Sequence, residues 1–302
     1  MSSSKNFNLF LMDGEVTGRI KCTLSNWTGL AYKIPRSYLE KCKGRQDLKQ
    51  SGVYFLFGKN EDDENEVYIG QAGIRKNGEG VLLRVSEHLN DKVYFSECVI
   101  LTTQNNSFGP TEISYLENKF TNMAFETERY IVRNGQDPNP GNVTEEKESE
   151  LEDFIAYSKM VLGVLGYKIF VPIVKKEIKE EPTIKNHDEE LLLYISSQNK
   201  KSRRKIEAMC QRTNEGFVLL KDSMIKEDES ESLPNSLKEL RRQFKEDNKI
   251  VDGKMTINHL FNSPSYAAAF VLGMSRNGRT DWKTKDGVTL KDLEESEINI
   301  KL

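Results

Sequence analysis

The chain has 302 residues, 37% of them hydrophobic and 30% charged, with a formal net charge of −3. That composition fits a soluble globular protein long enough for two domains, and no run approaches the ~20 apolar residues of a membrane span. The start, Met1-Ser2-Ser3-Ser4-Lys5, lacks the apolar core of a signal peptide, and Cys22, Cys42, Cys98 and Cys210 form no C-x-x-C pair. A reducing, cytoplasmic setting is expected, with neither a zinc site nor a disulfide framework.

Charge is unevenly divided. Residues 1–50 hold nine Lys/Arg against four Asp/Glu, residues 51–172 hold 11 against 20, and the remainder holds 24 against 23. The acidic middle cannot draw phosphates through its average field, so any nucleic-acid grip is expected from local patches. The basic N-terminal segment and the run containing Lys200, Lys201, Arg203 and Arg204 are the candidates.

In chain order, residues 6–35 alternate in short strand-like pieces (Phe7–Leu11, Arg19–Thr23 and Leu30–Ile34), and Pro35 opens a short helix. Two β-prone runs follow, Gly52–Gly58 and Val67–Gln71, separated by acidic residues 61–66, which predicts a hairpin carrying Tyr54 and Tyr68. Val81–Leu89 has helical apolar spacing and places Arg84 and His88 four apart, hence on one face. A third strand is predicted over Lys92–Thr103. A long helix over Thr111–Asn134 carries Glu117 and is expected to end at Asn134-Gly135. Thr144 caps a further helix reaching about Gly166, and Tyr167–Pro172 closes the domain.

Residues 173–190, dense in mixed charge, read as a linker. Beyond them, Leu191–Ile195, Ile206–Arg212 and Gly216–Leu220 are predicted strands, and Pro234–Phe244, Ser263–Leu272 and Leu290–Glu295 predicted helices. Asn277-Gly278 and Trp282 with Lys283 and Lys285 read better as a turn and a core tryptophan than as a nucleic-acid stacking surface.

"GVY" at residue 52, "YIG" at 68, the Arg84/His88 pair, Glu117 and Asn134 follow one another in an order that resembles the GIY-YIG nuclease domain over roughly Gln50–Phe170. The resemblance implies an α+β fold in which a small antiparallel three-stranded sheet is flanked by helices. Residues 1–49 then form a β-rich extension, residues 50–172 the nuclease domain and residues 191–302 a small α+β accessory domain. Ser263–Leu293 resembles a domain of unknown function found C-terminal to such nucleases, with Arg279 where an aromatic is commoner.

The activity so implied is hydrolysis of DNA phosphodiester bonds with one Mg²⁺ or Mn²⁺ held by Glu117; Mg²⁺ keeps most of its waters, so one carboxylate suffices. Arg84 would contact the scissile phosphate, and Tyr68 would hydrogen-bond the phosphate or the attacking water. Either Tyr54 or His88 would be the base, with Asn134 supporting the site. Gln71 stands where some members carry lysine, which removes a cation that could help ionise Tyr54 and favours His88. The competing readings are a non-catalytic nucleic-acid-binding adaptor on the same fold and, for residues 191–302, a docking module for a partner protein.

Overall fold

The strand-forming runs of the first half join one sheet. The computed structural model describes residues 4–135, 138–173, 191–198 and 205–300, and the chain divides into two compact units, residues 1–172 and 173–302.

In the first unit β1 (Phe7–Leu11), β2 (Ile20–Leu24) and β3 (Gly29–Pro35) form an antiparallel meander. Residues predicted to form a helix after Pro35 wind instead as a 3-10 turn over Arg36–Cys42. β4 (Gly52–Lys59) and β5 (Asn65–Ala72) make the hairpin, then come α1 (Val81–Glu87), β6 (Phe95–Thr103), α2 (Pro110–Thr127), β7 (Ile131–Val132) and α3 (Glu145–Val164). The seven strands lie in the order β1-β2-β3-β6-β4-β5-β7. The expected three-stranded sheet is therefore the centre, β6-β4-β5, of a larger one. β6 inserts between β3 and β4, pairing with β3 from Gly29↔Thr103 to Pro35↔Glu97, so the N-terminal extension is hydrogen-bonded into the sheet.

Both faces of this sheet are covered, so β4 is buried continuously from Gly52 to Phe57 while its alternate residues still face opposite ways. Val53, Phe55, Phe57, Val67, Ile69, Val99 and Leu101 pack against α2 (Leu116, Phe120) and α3 (Phe154, Leu162). Tyr54, Leu56, Cys98 and Ile100 pack against Val81, Leu82 and Val85 of α1 and against Leu39 and Leu48.

α2 ends seven residues before Asn134. Glu128 closes it in the left-handed region (φ 53°), and the β-branched pair Ile131-Val132 then docks parallel on Glu66-Val67 of β5. Arg133 seals that junction by an ion pair with the buried Glu66 and by donating its N–H to the Val67 carbonyl at 2.8 Å.

The second unit contains β8 (Leu192–Gln198), β9 (Lys205–Thr213), β10 (Gly216–Leu219), α4 (Asn235–Glu246), β11 (Ile250–Val251), β12 (Lys254–Met255), β13 (His259–Phe261), α5 (Pro264–Leu272), α6 (Gly278–Asp281) and α7 (Leu290–Ile300). The sheet order is β13-β10-β9-β8. The Ala-rich α5 packs into its core beside Phe244, Phe261 and Trp282. Trp282 is fully buried and donates its indole N–H to the Pro264 carbonyl at 2.9 Å, so it presents no stacking face. Asn277 caps α6 by accepting the Arg279 N–H at 3.1 Å. No helix among the described residues is long and apolar enough to cross a membrane.

Candidate active site

Strand register brings the two tyrosines together. Tyr54 lies opposite Gly70 and Leu56 opposite Tyr68, which puts Tyr54 and Tyr68 diagonally on one face with ring centroids 6.3 Å apart. Gly70 is required by that packing: a Cβ there would stand 2.4 Å from the Tyr54 phenol. Gly52 is required likewise, since a Cβ would meet the Leu101 carbonyl at 2.6 Å.

α1 then lays its C-terminal end over the tyrosines. Val81, Leu82 and Val85 are its buried anchors, and the Val81 N–H is tied to the Gln50 carbonyl at 3.0 Å. His88, at the C-cap, is 2% exposed, with its ring 5.6 Å from Tyr54 and 5.5 Å from Tyr68. Its Nε2 is 2.8 Å from Tyr54 Oη, and its Nδ1 is 3.0 Å from Asp91 Oδ1. Arg84 sits beside the Tyr54 phenol and bonds Glu87 at 3.2 Å through one Nη, leaving the rest of its fork half exposed. Arg75 holds Glu87 from the other side at 2.5 and 2.8 Å, and this pairing keeps the Glu87 carboxyl down at about 2.

Burial sets the protonation states. It pushes the Tyr54 phenol far above its ordinary range, against the lowering effect of Arg84, and raises Tyr68 as well. It also lowers His88 despite the opposing pull of Asp91. Near neutral pH the site thus holds two phenols and a neutral imidazole.

Glu117 comes from α2, one turn from the buried Ile113 and Phe120 and so at the edge of the helix's apolar face, and lies by the Gln71 amide near the end of β5. Its carboxylate is partly buried and raised by that burial, with the Gln71 amide and the more distant Arg84 as its offsetting neighbours. Gln71 also donates to Ser114 Oγ at 2.9 Å. A half-buried carboxylate with so little positive charge nearby suits a hard divalent cation bound mainly by oxygen and water.

Asn134 is a clamp rather than a helix cap. Its Oδ1 accepts the Ile69 N–H at 3.1 Å and its Nδ2 donates to the Ile69 carbonyl at 2.7 Å. It carries the β7 pairing two residues further along β5 and fixes the residue between Tyr68 and Gly70.

Two neighbours carry no motif signal. Asp91 lies one helical turn beyond Arg84–His88 register, and Lys92 places Nζ 3.9 Å over the Tyr68 ring. Sequence spacing could have nominated Asp91 as the i+3 partner of His88 only if the end of α1 had been placed correctly.

The patches expected to grip nucleic acid fare differently. Lys200, Lys201, Arg203 and Arg204 lie outside the described residues. In the N-terminal segment Arg19, Lys21, Lys33, Lys43, Arg45 and Lys49 each have a carboxylate partner, while Lys5 and Lys41 lie over the rings of Tyr157 and Tyr38. Arg36 is spent on backbone carbonyls.

Comparison with known proteins matches residues 199–294 to a domain of unknown function, DUF4357, consistent with the C-terminal resemblance. No GIY-YIG family model is matched. No curated protein and no solved structure matches the chain.

Proposed function

We propose that this chain is a metal-dependent endonuclease of GIY-YIG type that hydrolyses DNA phosphodiester bonds, in bacterial or phage defence, restriction or mobility. The observation that carries the reading is the convergence of Tyr54, Tyr68, Arg84 and His88 from a hairpin and a short helix, with Glu117 arriving from a third element. A purely structural hairpin face would have no need to bury a histidine against two phenols beside a half-free guanidinium.

The chemistry follows from the protonation states. A free phenolate at Tyr54 is disfavoured by burial, so the base is better described as the Tyr54–His88 pair. As water attacks phosphorus, its proton passes to Tyr54 Oη while the Tyr54 proton passes to His88 Nε2, and neither phenol stands charged alone. Arg84 offers unused N–H donors to a non-bridging phosphate oxygen, where charge grows as the phosphorane forms. Tyr68, more open than Tyr54, would orient the water or the phosphate. Mg²⁺ or Mn²⁺ held by Glu117 would supply charge neutralisation at the phosphate and the leaving oxygen.

Incubating the full chain with supercoiled, linear and single-stranded DNA plus Mg²⁺ or Mn²⁺, then mapping product ends, tests the reading. Ends bearing 5′-phosphate or 3′-phosphate only in the presence of metal are expected; intact DNA under every condition would sink it. The adaptor reading predicts binding without cleavage. Its weakness is that the four converging groups would then serve no purpose.

A further inference from the structure

We propose that Asp91 is a positioning residue for the Tyr54–His88 pair, and that the N-terminal extension holds the loop that carries it. The inference rests on the nuclease reading for its kinetic consequence alone, since the geometry of His88 can be measured without any cleavage.

Asp91 is ionised and can only accept a hydrogen bond, so the 3.0 Å contact requires His88 to carry its proton on Nδ1. Nε2 is then left as a lone pair facing Tyr54 Oη at 2.8 Å, the arrangement a proton-accepting histidine needs. Without such a partner a neutral imidazole prefers its proton on Nε2, which would make Nε2–H the donor to Tyr54 Oη and leave no lone pair there to take the phenol's proton. When the Tyr54 proton arrives, the O–H bond breaks and an N–H bond forms. His88 then bears +1 beside the −1 of Asp91, so the two together go from −1 to neutral.

The charged and titratable groups facing His88 are Asp91, Arg84 and Lys92, with Tyr54 and Tyr68. Only Asp91 favours an imidazolium; Arg84 and Lys92 oppose it. The Asp91 side chain is 60% exposed, so this contact adds little to folding. Its value lies in orientation.

Asp91 sits in the turn between α1 and β6, and that turn is held from outside. Arg36, the first residue after β3, donates through Nη2 to the Leu89 carbonyl at 2.6 Å and through Nη1 to the Lys92 carbonyl at 2.8 Å, bracketing Asp91. Its guanidinium also lies over the Phe95 ring at 4.4 Å. A residue contributed by the extension thus fixes the backbone on both sides of the carboxylate.

The test is long-range ¹H–¹⁵N NMR of the His88 ring in the full chain, with single-turnover cleavage measured on the same samples. Wild type should show the Nδ1–H form. Asp91→Ala should move His88 to Nε2–H and slow cleavage about 10–10²-fold, as loss of an orienting partner does elsewhere. Asp91→Asn, whose Oδ1 still accepts from Nδ1, should keep the tautomer and lower the pH at which His88 titrates; Arg36→Met should give a smaller loss in the same direction as Asp91→Ala. An unchanged tautomer and titration in Asp91→Ala would overturn the proposal even if wild type cuts DNA. A tautomer switch in a protein that cuts no DNA would support the positioning role while defeating the nuclease reading.

Discussion

On one face of β4 and β5, Val53, Phe55, Phe57, Val67 and Ile69 meet hydrocarbon and aromatic rings from α2 and α3. On the other face of the same strands, Tyr54 and Tyr68 meet an imidazole, a guanidinium and a lysine. Burial is nearly equal: Tyr54 is 1% exposed and Phe55 is fully covered. The difference is in what each face keeps dry. The Phe55 face converts burial into stability, whereas the Tyr54 face uses burial to hold phenols and imidazole neutral and within proton-transfer distance.

Changes on the two faces should separate activity from stability. The largest effect is expected for Glu117→Ala, which should reduce cleavage below detection while leaving thermal stability unchanged or slightly raised, because a desolvated carboxylate is removed. Full cleavage by this variant, or by wild type in excess chelator, would break the assignment of Glu117.

A matched pair of adjacent substitutions tests the comparison most directly. Tyr54→Phe should lower the single-turnover rate by roughly 10²–10⁴-fold through loss of the proton path, at a stability cost of about 1–3 kcal/mol for the unpaired His88 nitrogen. Phe55→Ala, which removes a ring packed on Phe57, Phe120 and Phe170, should cost about 3–5 kcal/mol in denaturant unfolding. If it remains folded, its rate on saturating DNA should be close to wild type. Similar losses of rate in both variants would mean the two faces are not functionally distinct.

Arg84→Ala should slow cleavage by about 10²–10³-fold, the usual cost of one preorganised donor, with little change in stability because its Glu87 contact is at the surface. A change of only a few-fold would reduce Arg84 to a surface ion pair.

The smallest effect sharpens what a partner does for a partly buried histidine. His259, in the second unit, is packed edge-on against Phe244 at 4.8 Å and Phe261 at 4.8 Å, and burial lowers it to about 4. Between that value and the ordinary 6.5 the unfolded state binds more protons than the folded one, so stability rises with pH across the window and is lost as pH falls through it. The loss can reach at most about 3 kcal/mol. Amide exchange in β13 and α5, compared between wild type and His259→Leu from pH 7 to 4, should show the dependence in wild type alone. An identical pH dependence in both would place its origin in other groups.

Much of this protein was legible in local pattern. The β-branched and aromatic runs mark β4 and β5, the apolar period marks α1, and Thr144 followed by acidic residues marks the start of α3. These elements form where local preference and burial agree. The tripeptides around Tyr54 and Tyr68 also foretell that the two phenols share a face, since a hairpin register follows from alternation.

Tertiary structure decided what local preference leaves open. Helical spacing over Thr111–Asn134 continues past the place where α2 stops; pairing of Ile131-Val132 with β5, fixed by the Arg133–Glu66 contact, outweighs it and turns Asn134 from a cap into a backbone clamp. The extension's place in the sheet depends on β6 inserting between β3 and β4, a long-range pairing that no window of sequence encodes. Asp91 and Arg36 lie 55 residues apart in number yet act on one histidine, because hydrogen bonds to the carbonyls of a turn carry no side-chain signature. Residue types and their period thus determine which chemistry is present, while strand order and turn anchoring determine which of those groups meet.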